Sequence, residues 1–189
     1  MPLENLTRER IVRALNLLGE LAKERKVELE LCPFGGSAMM LAYGAREGTK
    51  DVDAIVRPSD LAKELAREVA QRLNLHDAWL NDDVKRFVSD SGTFAPLQIQ
   101  ELEAAARSHL KITRASASYL LAMKCLACRA ALPGYAPDTE DIRFLIRKMR
   151  IHTVAEIDEH LERFYPFEAL TPQARATVEG LLRETEGSR

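Results

Sequence analysis

The stretch FGGSAMMLAYGAREGTKDVDAIV, residues 34–56, decides how this chain is read. The segment before it, VELELCPF, alternates with Val27, Leu29 and Leu31 on one side, and predicts a strand. Gly35 and Gly36 break that strand, SAMMLAYGA predicts a short helix, and DVDAIV predicts a second strand. Residues two apart on a strand point to one face, so Asp51 and Asp53 project together while Val52, Ala54 and Val56 pack the other side. Two like charges this close raise each other's pKa unless something positive sits between them. Mg²⁺ is typically held by one or two carboxylates plus substrate phosphate oxygens. Gly35, Gly36 and Ser37 offer the phosphate half: glycines let a backbone approach a ligand, and a helix opening at Ser37 turns free N–H groups toward an anion. The Ser37 hydroxyl adds a donor. Each feature alone has a plainer reading, since paired aspartates are often solvated or salt-bridged and a Gly-Gly is often only a turn. Their order along the chain points to phosphate and metal.

Working outward, Thr7 predicts an N-cap for a helix to about Lys26, with Ile11, Leu15, Leu18 and Ala22 on one face. Ser59 predicts the cap of a helix to about Asn74, with Leu61, Leu65, Val69 and Leu73 as its buried stripe. Residues 76–102 carry no clear period, and SHLKIT predicts a further strand with Leu110 and Ile112 inward. From Ser116 the pattern is helical: one helix over about 117–132 up to the breaker PGYAP, one from near Asp138, one opened by the capping box Thr153-Val-Ala-Glu156, and one with Thr171 as N-cap and Pro172 at its first position. Strands early and helices late predict an α+β fold, a mixed sheet followed by a C-terminal helical bundle. The division falls between a core over 1–115 and a helical region over 116–189.

At 189 residues and 21.2 kDa the length suits one domain with a helical extension. A net charge of −2 excludes a global field for non-specific nucleic-acid binding. No apolar run reaches the roughly 20 residues that span a bilayer, and MPLENLTRER lacks the apolar region of a secretory signal. Three cysteines, Cys32, Cys125 and Cys128, predict no disulfide framework and fit a reducing cytoplasm. Cys125 and Cys128 lie in the apolar helix YLLAMKCLACRAAL and read as packed thiols. Trp79 reads as a core anchor, and the four histidines show no zinc spacing.

The segment GGSAMMLAYGAREGTKDVDAIV resembles the glycine and D-x-D signature of the polymerase-β-like nucleotidyltransferase superfamily. More narrowly, it resembles small nucleotidyltransferases related to abortive-infection (AbiEii-type) toxins, whose R-x-x-T-x-D-x-D pattern is matched by Arg46, Thr49, Asp51 and Asp53. The LLAMK helix with Lys124, the acidic helix start with Asp138, Glu140 and Asp141, and WLNDDVKRF around Trp79 and Asn81 extend the likeness over about residues 30–150. The resemblance implies a Mg²⁺-dependent nucleotidyltransferase. Asp51 and Asp53 would hold the metal, Gly35, Gly36, Ser37, Arg46, Thr49 and Lys124 would bind the NTP, and Lys124 and Asp141 would act beside the D-x-D in one cleft. It implies an RNA or protein acceptor, a small molecule as a further acceptor, and an antitoxin partner. The wider superfamily brings a third carboxylate from a later strand, whereas SHLKIT offers His109, Lys111 and Thr113. Glu101 and Glu103 are the nearby acids, and the toxin-like branch substitutes Lys124 and Asp141. The alternative is a non-catalytic nucleotide- or partner-binding module that keeps the fold. From the residues alone, Lys124 either snorkels from its apolar helix or enters the cleft, and Asp141 also serves the dipole of its own helix.

Overall fold

A computed structural model describes residues 5–128 and 138–186. The chain forms two compact units. One takes the described residues up to Arg86 together with Phe94–Ala115, and the other takes Phe87–Thr93 and the described residues from Ser116 onward.

The first unit is α+β. Helix α1 (Arg8–Glu24) follows the short strand β1 (Leu6–Thr7), and Thr7 caps it by accepting from the Arg10 N–H. Then come β2 (Leu29–Pro33), α2 (Gly35–Leu41), β3 (Gly48–Thr49), β4 (Val52–Arg57) and α3 (Ser59–Leu73). Next are β5 (Leu80–Asn81), a 3₁₀ turn (Asp83–Phe87), β6 (Phe94–Pro96), α4 (Ala104–His109) and β7 (Leu110–Ala115). The five-stranded sheet runs β5-β4-β2-β7-β6, and β1 with β3 forms a separate ribbon. The large sheet is mixed: β2 pairs antiparallel with β4 and parallel with β7, while β5 pairs parallel with β4.

Alternation sorts the faces of this sheet. Leu29, Leu31, Val52, Ala54, Leu110 and Ile112 are buried in one apolar cluster with Ile11, Leu15 and Leu18 of α1 and Leu65 and Val69 of α3. Cys32, Asp53, Ile55 and Thr113 fall on the opposite face by register. Gly19 lets α1 approach α4 closely, since a Cβ there would sit 2.6 Å from the Ala106 Cα.

Several elements differ from the sequence expectation. Helix α2 begins at Gly35, not Ser37, with Phe34 as its extended N-cap residue. Gly35 has φ +55°, a left-handed conformation that favours glycine. Ser59 is the first helical residue of α3 and Pro58 the cap position, so the Ser59 side chain does not cap. The buried stripe of α3 is Ala62, Leu65, Ala66, Val69 and Ala70, with Leu61 and Leu73 at its margin. In SHLKIT, Ser108 and His109 end α4 and the strand proper starts at Leu110.

The second unit is helical: α5 (Ala117–Ala127), α6 (Asp138–Met149), α7 (Val154–Phe164) and α8 (Pro172–Glu186). Thr153 and Glu156 form the reciprocal capping box on α7, and the Thr171 hydroxyl accepts from the Ala174 N–H at the start of α8. Residues 87–93 join these helices through Ser89 N–H to the Tyr119 hydroxyl, 2.6 Å, and the Tyr165 hydroxyl to the Phe87 carbonyl, 2.9 Å. The expected extension of the first of these helices past 128, and PGYAP, lie outside the described residues. No helix among the described residues is long and apolar enough to cross a membrane.

Candidate functional site

The D-x-D pair stands where β4 begins, at the centre of three segments distant in sequence. The Phe34 N–H donates to the Asp53 carbonyl, 2.8 Å, which carries the β2–β4 ladder up to the glycine turn. On the other side the Val52 N–H donates to the Trp79 carbonyl, 2.7 Å, and Asp53 lies opposite Asn81 in the β4–β5 register. Trp79 itself is buried, with its indole N–H on the Ala66 carbonyl at 2.9 Å, so it anchors β5 and presents no stacking face.

Gly35 sits directly over Asp53. A Cβ on Gly35 would come 3.2 Å from Asp53 Oδ2, so the glycine lets the backbone pass close to that carboxylate. Gly36 packs tightly against its neighbours. A Cβ there would lie 2.7 Å from Thr49 Oγ1 and 3.3 Å from an Arg46 guanidinium nitrogen. This contact gathers Gly36, Arg46 and Thr49 at one spot, with Thr49 buried. A bulky substitution at Gly36 therefore disturbs Thr49 whether or not a ligand binds.

The Ser37 side chain is buried, and its hydroxyl donates to the Phe34 carbonyl at 2.8 Å, closing the first turn of α2, so the hydroxyl's donor is used inside the fold.

Asp51 is half-buried beside Asp53. Its carboxyl is pushed up to about 6, first by burial, then by the Asp53 charge and more weakly by Asp83. The Asn81 amide, which donates to Asp51 Oδ2 at 3.2 Å, and the Lys50 charge act in the opposite direction. The folded chain therefore holds this proton more tightly than the unfolded chain, where the value is near 3.8. Ionising Asp51 costs folded-state stability, and the cost grows as pH rises through the window from about 4 to about 6. Because Asp51 keeps part of its solvent contact, the loss is on the order of 1–2 kcal/mol. Comparing unfolding midpoints of the wild type and Asp51→Asn in EDTA at pH 4.5 and 7 checks this. The variant gains relative to the wild type at pH 7 only, and a pH-independent difference counts against it.

The donor set suits Mg²⁺: two carboxylates stand two residues apart at the start of β4, and the charge of Asp53 pushes the Asp51 carboxyl up. No group of three or more His, Cys, Asp or Glu side chains suited to a metal occurs among the described residues. Of the two suggested third acids, Glu101 is ion-paired with Arg8, and Glu103 is exposed at the cap position of α4.

Lys124 and Asp141 are brought together within the helical unit. The Lys124 ammonium lies 2.8 Å from Asp138 Oδ1 and 2.8 Å from Asp141 Oδ2. Its side chain is 11% exposed and that of Asp141 1%, so Lys124 does not snorkel. Cys125 is buried and Cys128 caps the end of α5, and burial raises both thiols, as expected of packed and unreactive cysteines.

No protein-family model, no curated protein and no solved structure matches this chain.

Proposed function

We propose that this protein is a Mg²⁺-dependent nucleotidyltransferase that moves a nucleotidyl group from an NTP to a hydroxyl acceptor, as the toxin of a toxin–antitoxin pair. The observation that carries the reading is the D-x-D at the start of β4, with Asp53 Oδ2 close to the bare backbone of Gly35 and the Asp51 carboxyl pushed up beside Asp53. Asp51 and Asp53 would hold the metal, which when bound neutralises phosphate charge and orients the α-phosphate for in-line displacement. Arg46, against Gly36, meets the triphosphate with a guanidinium fork suited to phosphate oxygens. In the transfer, the acceptor oxygen bonds to the α-phosphorus as the bond to the β-phosphate oxygen breaks. Pyrophosphate leaves with that electron pair, and the acceptor proton passes to a D-x-D carboxylate.

A second reading, a nucleotide- or partner-binding module without catalysis, is favoured by two observations. The strand β7 offers Lys111 and Thr113 but no acid, and the Ser37 hydroxyl is committed to its own turn. Incubating the protein with Mg²⁺, each labelled NTP, and total RNA or total protein separates the two. Label in one pool that disappears with Asp51→Asn supports transfer. NTP binding without labelling of any pool supports a nucleotide-binding module, and no NTP binding at all overturns transfer and nucleotide binding alike and leaves the partner-binding form of the module.

A further inference from the structure

Asp51 lies just ahead of β4, and facing a cation in one orientation requires its carboxylate to be held by a side-chain partner. Asn81 supplies a candidate for that restraint. The parallel β4–β5 pairing sets Asn81 opposite Asp53, one strand over. Asn81 Oδ1 accepts the Asp83 N–H at 3.1 Å, which determines which end of the amide is oxygen. The amide nitrogen is thereby turned to Asp51 Oδ2, 3.2 Å away. One side chain thus grips the following turn with its oxygen and the carboxylate with its nitrogen. A neutral amide suits this place: a lysine would compete with the cation, and a carboxylate would add a third negative charge.

We propose that Asn81 is a positioning residue that tethers one oxygen of Asp51, so that the other oxygen and Asp53 meet the cation without further ordering. The proposal rests on the reading of Asp51 and Asp53 as Mg²⁺ ligands. A partner that orients a metal-binding group in this way commonly contributes about 10–100-fold to metal affinity.

The test uses the full chain, Mn²⁺ as the probe by calorimetric titration, and thermal unfolding in EDTA and in Mn²⁺. Asn81→Ser keeps a hydroxyl acceptor for the Asp83 N–H but does not reach Asp51. It is expected to weaken Mn²⁺ binding about tenfold with the EDTA midpoint little changed. Asn81→Asp keeps the turn acceptor and replaces the donor with a like charge. It is expected to melt earlier in EDTA and to gain more from Mn²⁺ than the wild type does. Wild-type Mn²⁺ affinity in both variants overturns the proposal, whatever their stability, and makes Asn81 a turn residue only. A wild type that fails to bind Mn²⁺ overturns the carboxylate-pair reading itself, and this inference with it.

Discussion

Lys124→Met is expected to destabilise the helical unit by about 3–5 kcal/mol, the usual cost of breaking a buried ion pair from one side. Lys124 is 11% exposed and lies at 2.8 Å from both Asp138 and Asp141. Methionine keeps nearly the volume of the lysine stem, so packing is preserved and the loss is electrostatic. It leaves two carboxylates of one helical turn facing each other, one of them 1% exposed. Burial without the ammonium penalises their charged forms. Adding Asp141→Leu to Lys124→Met is expected to recover much of the loss, because apolar replacement of a buried pair is often close to neutral. Urea midpoints for the wild type, both single variants and the double variant check this. A Lys124→Met cost below about 1 kcal/mol would make the pair a solvated one.

Asp53→Asn is expected to weaken Mg²⁺-dependent NTP binding on the order of 100-fold, about 3 kcal/mol, while leaving the fold intact. The backbone of residue 53 keeps its bond from Phe34, and an amide fits the space under Gly35 as the carboxylate does. The substitution removes one ligand charge and the repulsion that helps push Asp51 upward, while the amide oxygen still accepts hydrogen bonds. The metal-free midpoint should therefore hold or rise. Calorimetry with a non-hydrolysable NTP, with and without Mg²⁺, and melting in EDTA read the two effects separately. A clear fall in metal-free stability with unchanged NTP binding would make the pair structural.

What was legible in the sequence was local. Thr7, Thr153 and Thr171 mark helix starts because a cap is a contact between residues two or three apart. The strands β2, β4 and β7 follow from period-two alternation, which puts Asp53 on the face opposite Val52 and Ala54, while Asp51 stands one residue before the strand. The elements without a signal are short. Helix α4, Ala104–His109, buries only Ala106 and so shows no stripe. Strands β5 and β6 have two and three residues, too few to display alternation. Cys125 is packed as its apolar helical surroundings imply, whereas Cys128 falls at the cap where α5 ends and is only partly buried.

The sequence by itself determined the α+β class, the carboxylate at Asp53 on β4 and the helical second half, all set by chemistry within a few residues, whereas Asp51 falls just ahead of the strand. Only the tertiary structure decided the strand order β5-β4-β2-β7-β6, the seat of Thr49 and Arg46 against Gly36, and the use of the Ser37 hydroxyl inside its own turn. It alone brought Asn81 to Asp51 across 30 residues, and gave Lys124 two carboxylate partners on α6. Such contacts depend on which distant segments pair and in what register. That choice is made by packing a whole apolar core, and no window of a few residues contains it.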